Sequence, residues 1–208
     1  MKVKICGLKN VNQVKQSIKF GANYCGFILN YPKSHRFISY KKAKVLTNID
    51  KKKSKFVGVL VNPRDDELKK FSKLNIDYFQ IYGSYNNNQI LRIKKKYRKK
   101  IIFSVQVKSK KDISEYKKIE RSSDIILWDS SGLEKSLSWN FSWIKSVNTR
   151  KIKMLAGKIN INNIEKISKI TDIIDVSGAL ETNKVKDTIK IKNFLIKVKN
   201  INEKNRKR

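Results

Sequence analysis

Short apolar runs rich in β-branched residues recur every 20 to 30 residues along the chain, with polar segments between them. Most positions within a run are apolar, which is typical of strands buried on both faces of a parallel sheet. Eight such runs predict β-strands, at residues 3–6, 24–29, 56–61, 78–82, 101–107, 124–129, 153–157 and 172–177.

The segments between the strands have the spacing of amphipathic helices. Residues 62–74 show the pattern well, because Asn62 fits the N-cap, Pro63 fits the first helical position and three acidic residues fall in the first turn. Further helices are predicted at residues 10–20, 160–167 and 186–200. Strands and helices are therefore expected to alternate along the whole chain.

This alternation predicts an α/β protein with a parallel sheet built from βαβ units. Eight units in 208 residues favour a single closed (β/α)₈ TIM barrel over an open doubly wound sheet. No linker rich in Gly, Pro or Ser divides the chain. We expect one catalytic domain at residues 1–199, followed by a basic, frayed tail at residues 200–208.

The formal net charge of +32 points first to a nucleic-acid partner, because lysine and arginine neutralise phosphates. Three features instead favour surface lysines that accumulated by sequence drift, without a binding function. The charge is mostly lysine, it is spread along the chain, and asparagine and isoleucine are also abundant, as an A/T-biased coding sequence would produce. We expect no specific nucleic-acid partner, and a decayed barrel acting as a basic RNA-binding or other non-catalytic protein is the alternative function.

Further features of the sequence bear on location and cofactors. No apolar run reaches the roughly 18 residues that span a bilayer, and the N-terminus lacks the pattern of a signal peptide. The two cysteines, Cys6 and Cys25, fit a reducing compartment better than a disulfide framework. With one histidine in the chain, no metal site is expected. We expect a cytoplasmic protein that does not contact the membrane.

In TIM barrels the active site lies at the carboxyl ends of the strands. Cys6 ends the first predicted strand and Asp129 the sixth. Gly157 ends the seventh, and the pair Ser177 and Gly178 ends the eighth. These strand ends are therefore the candidate site, whereas Cys25, inside the second strand, is expected in the core.

Seven short sequence motifs occur in order at the ends of the predicted strands: KICGL, GFIL with YPKSHR, VGVLVN, FQIYG, LWDS, LAGKI and IDVSGALE. In that order and spacing, residues 2 to about 195 resemble the phosphoribosylanthranilate isomerases of tryptophan biosynthesis. The resemblance implies a cofactor-free Amadori rearrangement of a phosphorylated small molecule, N-(5′-phosphoribosyl)anthranilate, to 1-(2-carboxyphenylamino)-1-deoxyribulose 5-phosphate. We also expect a monomer.

The resemblance also implies roles for particular residues. Asp129 matches the family's general acid and Cys6 its general base. Arg36 matches the arginine that holds the anthranilate carboxylate, for which a planar guanidinium is well suited. Gln80 and Asp175 match positions that face the substrate.

The phosphate is expected at the ends of strands seven and eight. Loops at these positions bind phosphate in many TIM barrels, and backbone N–H groups at glycines can hold an anion. Gly157, Ser177 and Gly178 are therefore the predicted phosphate-binding residues.

The chain departs from the family's pattern at several positions. A glycine-rich stretch is replaced by GLEK at residues 132–135, a second glycine by Lys158, and the histidine of the fourth-strand motif by Tyr82, while the second serine of the eighth-strand motif is missing. Since the acid, the base and the arginine are retained, we interpret the chain as a working enzyme. A related isomerase for another phosphorylated aminoaldose would be expected to carry aspartate at the position of Cys6.

Elementary electrostatics adds two expectations about the acid and the base. Lys4 lies two residues before Cys6 on one strand, so both side chains should point into the barrel, where a cation would favour the thiolate. Asp129 needs the opposite change, and desolvation at an apolar barrel mouth would raise its pKa.

Overall fold

The computed structural model describes residues 1–130 and 137–207. Eight strands pair in chain order and close into a parallel barrel, which confirms the predicted fold class. The strands are β1 (Lys2–Cys6), β2 (Tyr24–Ile28), β3 (Lys55–Val61), β4 (Tyr78–Tyr82), β5 (Lys100–Val107), β6 (Ile125–Ser130), β7 (Ile152–Leu155) and β8 (Ile173–Val176).

Two apolar layers hold the barrel together. One fills its interior with side chains from the strands, among them Tyr24, Val57, Tyr78, Ile102, Leu127, Met154 and Ile173. A larger layer lies between the outer face of the strands and the surrounding helices, which is why the strands are apolar on both faces. The polar side chains described below lie above or within this packing.

Within the described residues, six α-helices surround the barrel: α1 (Val11–Lys19), α2 (Tyr40–Thr47), α3 (Asp65–Ser72), α4 (Asn87–Tyr97), α5 (Ile164–Ile167) and α6 (Thr188–Arg206). Side-chain caps begin several of them, as Asn10 does by accepting from the N–H of Gln13. After β5 and β6 the chain forms 3₁₀ helices, Lys110–Lys118 and Phe141–Ser146, where the regular alternation predicted α-helices. No helix in the described part of the chain is long and apolar enough to span a membrane.

The predicted start of α3 was wrong. Asn62 has a left-handed backbone with φ of 43°, and its N–H donates to the carbonyl oxygen of Tyr82, so it extends the sheet instead of capping a helix. The N-cap is Arg64, whose backbone N–H donates to Oε2 of Glu67 at 2.9 Å. Pro63 therefore precedes the cap.

The segment after residue 199, expected as a frayed tail, is helical as far as Arg206, where α6 ends. Ile201 is buried against the core, so the apolar face of the helix continues past residue 199. The amide of Asn202 holds the first residue, donating to the carbonyl oxygen of Met1 and accepting from its ammonium, both at 2.9 Å. The predicted boundary between residues 199 and 200 therefore lies inside a helix.

A small hairpin follows the barrel and was not predicted. Its strands are β9 (Glu181–Thr182) and β10 (Val185–Lys186), paired antiparallel. Asn183 and Lys184 form the turn with φ of 50° and 62°, and two left-handed residues in a two-residue turn favour a hairpin. The hairpin brings two charged side chains toward the carboxyl end of the barrel.

Candidate active site

A cavity of about 550 Å³ opens at the carboxyl ends of the strands. All of the predicted site residues except Gln80 line it: Cys6, Arg36, Asp129, Gly157, Asp175, Ser177 and Gly178. They lie at or after the ends of β1, β2, β6, β7 and β8, which are neighbours around the closed barrel. The fold therefore brings the candidate acid, base, arginine and strand-end glycines to one space.

Asp129 lies near the end of β6, with its Oδ2 accepting a hydrogen bond from the hydroxyl of Tyr82 at 2.7 Å. Burial raises the pKa of its carboxyl to about 6, while the bond from Tyr82 opposes the shift and the charge of Asp175 adds to it. The direction is the one expected from the sequence. A carboxyl with this pKa holds and releases a proton near neutral pH.

Cys6 is the last residue of β1, and burial raises the pKa of its thiol above the ordinary value. The ammonium of Lys4 acts in the opposite direction, as expected, and so does that of Lys186. Burial and the negative charge of Asp175 outweigh both cations, so the pKa of Cys6 stays above its ordinary value although Lys4 favours the thiolate. The two cations lower the cost of removing the proton when a base is needed.

A glycine on the neighbouring strand makes room for this pair. Gly26 of β2 is the register partner of Cys6, and its carbonyl oxygen accepts from the N–H groups of Gly7 and Leu8. A Cβ added at Gly26 would lie 3.0 Å from Sγ of Cys6 and 3.2 Å from Nζ of Lys4. The missing side chain thus lets the thiol and the ammonium approach each other inside the barrel.

Arg36 is buried beside the cavity and forms a two-point ion pair with Glu181. Its Nε donates to Oε1 at 2.6 Å and its Nη2 to Oε2 at 2.9 Å. Lys186 donates to the same carboxylate and also to Oγ of Ser177, 3.1 Å away. Burial raises the pKa of Glu181, but the two cations outweigh it and hold the pKa at about 2. Sequence reasoning missed both Glu181 and Lys186.

Ser177 connects this charged group to the base. Its Oγ donates to the backbone carbonyl of Cys6 at 3.0 Å, while accepting from Lys186. The hydroxyl is thus already engaged by the protein. Its side chain helps to hold the end of β1 against the end of β8.

Gly157 has φ of 106°, a conformation that favours glycine. A Cβ there would lie 2.8 Å from Nε1 of Trp139, which donates to the carbonyl of Ala156 at 2.8 Å. Lys158 follows with a left-handed φ of 41°. The backbone after β7 therefore packs closely against Trp139 at Gly157, and both Gly157 and Gly178 line the cavity. The GLEK segment at residues 132–135 lies outside the described residues.

Gln80 does not line the cavity, although the sequence placed it among the substrate-facing residues. It is fully buried in the barrel interior, where its Nε2 donates to the hydroxyl of Tyr82 at 3.1 Å. Among the described residues, no group of three or more His, Cys, Asp or Glu side chains is placed to hold a metal ion.

The sequence matches those of known proteins over nearly its whole length. Residues 3–197 match the family model described as N-(5′-phosphoribosyl)anthranilate isomerase. The chain belongs to the N-(5′-phosphoribosyl)anthranilate isomerase family. The resemblance inferred from the strand-end motifs is thereby confirmed.

Individual members of the N-(5′-phosphoribosyl)anthranilate isomerase family match over nearly their whole length. The protein of that name from Thermoanaerobacter pseudethanolicus is 32% identical over 210 residues, covering 97% of this chain and 99% of the relative. A crystal structure of the Thermotoga maritima phosphoribosylanthranilate isomerase is 27% identical, with a TM-score of 0.86 over 96% of this chain and 99% of the other. Monomers derived from that organism's dimeric enzyme are 26% identical, with a TM-score of 0.84 and the same coverage.

Proposed function

We propose that this chain catalyses the cofactor-free Amadori rearrangement of N-(5′-phosphoribosyl)anthranilate, with Asp129 as the general acid and Cys6 as the general base. The supporting observation is that a carboxyl with a pKa of about 6 and a buried thiol flanked by lysines line the same cavity. An acid and a base on one substrate are what an aldose-to-ketose isomerisation needs.

Ring opening is the first step, and it uses Asp129. The carboxyl transfers its proton to the furanose ring oxygen as the bond from that oxygen to carbon 1 breaks. The nitrogen lone pair forms a double bond to carbon 1, which leaves an iminium ion. A pKa of about 6 keeps the carboxyl a strong enough acid while a fraction stays protonated near neutral pH.

The second step uses Cys6 as the base. Its thiolate removes the proton from carbon 2, the released electron pair forms the double bond between carbons 1 and 2, and the iminium electrons return to nitrogen. The resulting enolamine becomes the ketose when carbon 1 gains a proton and the hydroxyl on carbon 2 loses one. Lys4 and Lys186 favour the thiolate, because both lower the pKa of Cys6 against the effect of burial.

Binding is assigned to the remaining cavity residues. Arg36 is proposed to hold the anthranilate carboxylate, as a guanidinium suits a planar anion, and Asp175 to face the ribose. The phosphate is proposed to lie against the backbone at Gly157 and Gly178 with Ser177, because all three residues line the cavity after the ends of β7 and β8.

A fluorescence assay tests the function directly. N-(5′-phosphoribosyl)anthranilate is generated from anthranilate and phosphoribosyl pyrophosphate by a coupling enzyme, and its fluorescence is followed after this protein is added. We expect rapid, enzyme-dependent loss of the signal and formation of the ketose product. Turnover no faster than in a no-enzyme control would contradict the proposal.

We also propose a monomer in a reducing, cytoplasmic compartment. A formal net charge of +32 makes two copies repel each other, and Cys6 acts as a base only while it is reduced. Light scattering coupled to gel filtration, at physiological salt, measures the oligomeric state. A mass near 24.3 kDa is expected, and a stable dimer would contradict the proposal.

A further inference from the structure

A hydrogen-bonded chain leads from the barrel interior to the candidate acid. Nε2 of Gln80 donates to the hydroxyl of Tyr82 at 3.1 Å, and that hydroxyl donates to Oδ2 of Asp129 at 2.7 Å. Gln80 is fully buried and Tyr82 nearly so. Both side chains project from β4, two residues apart, so the strand itself fixes their order.

The direction of this chain is fixed by the chemistry of a phenol. A tyrosine hydroxyl has one proton, and here Gln80 supplies a donor to its oxygen, so the proton of Tyr82 goes to Asp129. Burial raises the pKa of Tyr82 well above its ordinary value, and the negative charges of Asp129 and Asp175 raise it further. Tyr82 therefore remains a donor over the whole working range of pH.

We propose that Tyr82 is a positioning residue for Asp129: its hydroxyl occupies Oδ2 as a permanent donor, stabilises the carboxylate, and directs the transferable proton to Oδ1. Oδ1 accepts a longer hydrogen bond, from Oγ of Ser130 at 3.4 Å. A carbonyl oxygen accepts a hydrogen bond better than the hydroxyl oxygen of a carboxylic acid, so the shorter bond from Tyr82 holds Oδ2 as the carbonyl oxygen and the proton of the acid form resides on Oδ1. Gln80 then acts through Tyr82 and not on the substrate. This inference rests on the proposed role of Asp129 as the acid.

Other groups near Asp129 set the background against which Tyr82 acts. Asp175 raises the pKa of Asp129 and Lys4 lowers it. The ionisable groups on the elements around it are Lys4 and Cys6 on β1, Asp175 on β8 and Lys158 after β7. Two neutral polar side chains also lie beside it, Gln106 on β5 and Ser130 on β6, whose Oγ donates to Oδ1. Changing the hydroxyl of Tyr82 alone leaves all of them in place.

The decisive experiment is a titration of Asp129 by carbon NMR, in full-length protein labelled at the aspartate carboxyl carbon. The signal is assigned by its loss in Asp129→Asn. Loss of a hydrogen bond to a carboxylate should raise the pKa of Asp129 in Tyr82→Phe by about one to two units. The matched control is Tyr116→Phe, which removes a buried hydroxyl bonded to the carbonyl of Asn148. An unchanged pKa in Tyr82→Phe would overturn the inference.

Kinetics supply a second readout. The active form has Asp129 protonated and Cys6 ionised, whereas the resting form has Asp129 ionised and Cys6 protonated. The two forms carry the same number of protons, so the ratio between them does not change with pH. Activity therefore rises with pH through the lower pKa of the pair, and this acid limb of kcat/KM should move to higher pH in Tyr82→Phe by the NMR shift. The substrate's own ionisation is common to both enzymes. An acid limb that stays in place would overturn the inference.

Gln80→Met provides a second test in case Tyr82→Phe does not fold. Gln80→Met keeps Tyr82 but removes the amide donor, so the hydroxyl is less firmly held and the pKa of Asp129 should rise by a smaller amount. No rise in a folded Gln80→Met would count against the chain of bonds. If the wild-type protein shows no isomerase activity, the proposed function fails, while the NMR titration still decides whether Tyr82 controls Asp129.

Discussion

The ammonium of Lys4 donates a 2.6 Å hydrogen bond to Oδ2 of Asp175 inside the barrel, and the two residues are register partners across the seam where β1 meets β8. Lys4 is fully buried and Asp175 nearly so. Burial opposes a charged lysine, yet Asp175 and Cys6 hold the pKa of Lys4 above its ordinary value. The side chain of Lys4 thus links β1 to β8 through an ion pair and places a cation beside the candidate base.

Lys4→Met should therefore destabilise the fold and lower the fraction of Cys6 present as thiolate. Removing one partner of a buried ion pair costs about 3–5 kcal/mol, because the other charge stays buried without compensation. Without the ammonium, the pKa of Cys6 should rise further, so its thiol should alkylate more slowly at a given pH. Urea unfolding measures the first effect, and the pH dependence of iodoacetamide modification the second.

Lys2→Met is the matched control for this change. Lys2 lies two residues earlier on β1 and is exposed, so its loss should alter the free energy of unfolding by no more than about 0.5 kcal/mol. Equal effects of the two substitutions would show that the pair with Asp175 is not responsible.

Removal of either catalytic group should abolish most turnover. Cys6→Ser and Asp129→Asn are each expected to lower kcat by at least about a hundredfold with the fold intact, the usual contribution of a general acid or base. Circular dichroism checks the fold and the fluorescence assay the rate. Cys25→Ala, at a buried cysteine in the core layer outside the barrel, should reduce stability but keep kcat. Near-normal turnover in either active-site variant would contradict the assignment.

Arg36→Lys should separate binding from chemistry. The proposed carboxylate contact exists in both the ground state and the transition state, so KM should rise while kcat changes less. The two-point ion pair with Glu181 is also lost, since lysine cannot form the two parallel hydrogen bonds of arginine. Arg64→Lys, at an exposed arginine paired with Asp66, is the control and should leave both constants unchanged. A dominant fall in kcat would assign Arg36 a different role.

Gly26→Ala should damage the site more than the fold. The new Cβ would press on Cys6 and Lys4, at 3.0 Å from Sγ and 3.1 Å from Cε, and push the thiol from its position. Overpacking costs about 1–3 kcal/mol, and we expect kcat to fall at least about tenfold. Stopped-flow or steady-state assays beside thermal unfolding measure the two effects.

Gly58→Ala is the control for this substitution. Its Cβ would meet Leu29 and Ile76, whose side chains belong to the layer outside the barrel, at 2.8 and 2.9 Å. A comparable loss of stability with retained kcat is expected. If both variants lost activity equally, crowding at Cys6 would not explain the effect at Gly26.

The strands were predictable because burial on both faces leaves continuous apolar runs, whereas the helix boundaries depend on local geometry that such runs do not encode. Asn62 and Pro63 have the composition of a helix start, but pairing of Asn62 with Tyr82 extends the sheet and delays the helix to Asp65. At the other end, the basic composition after residue 199 suggested fraying. Burial of Ile201 keeps that segment helical.

The cavity residues at strand ends were predictable from topology, since a (β/α)₈ barrel brings those ends together. Glu181 and Lys186 were missed because they lie beyond β8, the last strand of the barrel. The signal in residues 181–186 was limited to the β-branched Thr182 and Val185 on either side of the turn at Asn183 and Lys184, which is too short to predict a hairpin. The bond from Tyr82 to Asp129 depends on side-chain direction, which the sequence pattern does not specify.

RNA binding distinguishes an enzyme whose surplus lysines have no binding function from a barrel that binds RNA. If the lysines are only a solvated surface, RNA binding should be weak, indifferent to sequence, and should fall steeply between low and physiological salt, because counterion release governs such contacts. Fluorescence polarisation with several unrelated RNAs across a salt series measures this, beside isomerase activity in the same preparation.

The anionic substrate makes catalysis sensitive to salt as well, and the two effects must be told apart. The formal net charge of +32, with Lys158 on the cavity wall, raises the encounter rate of a phosphorylated substrate, so kcat/KM should fall with salt while kcat stays constant. Steering of this kind creates no RNA site. A dedicated RNA-binding function requires a preferred sequence or structure that still binds tightly near 0.15 M salt. Such binding without detectable isomerase activity would overturn the enzymatic interpretation, because counterion release alone gives no selectivity among RNAs.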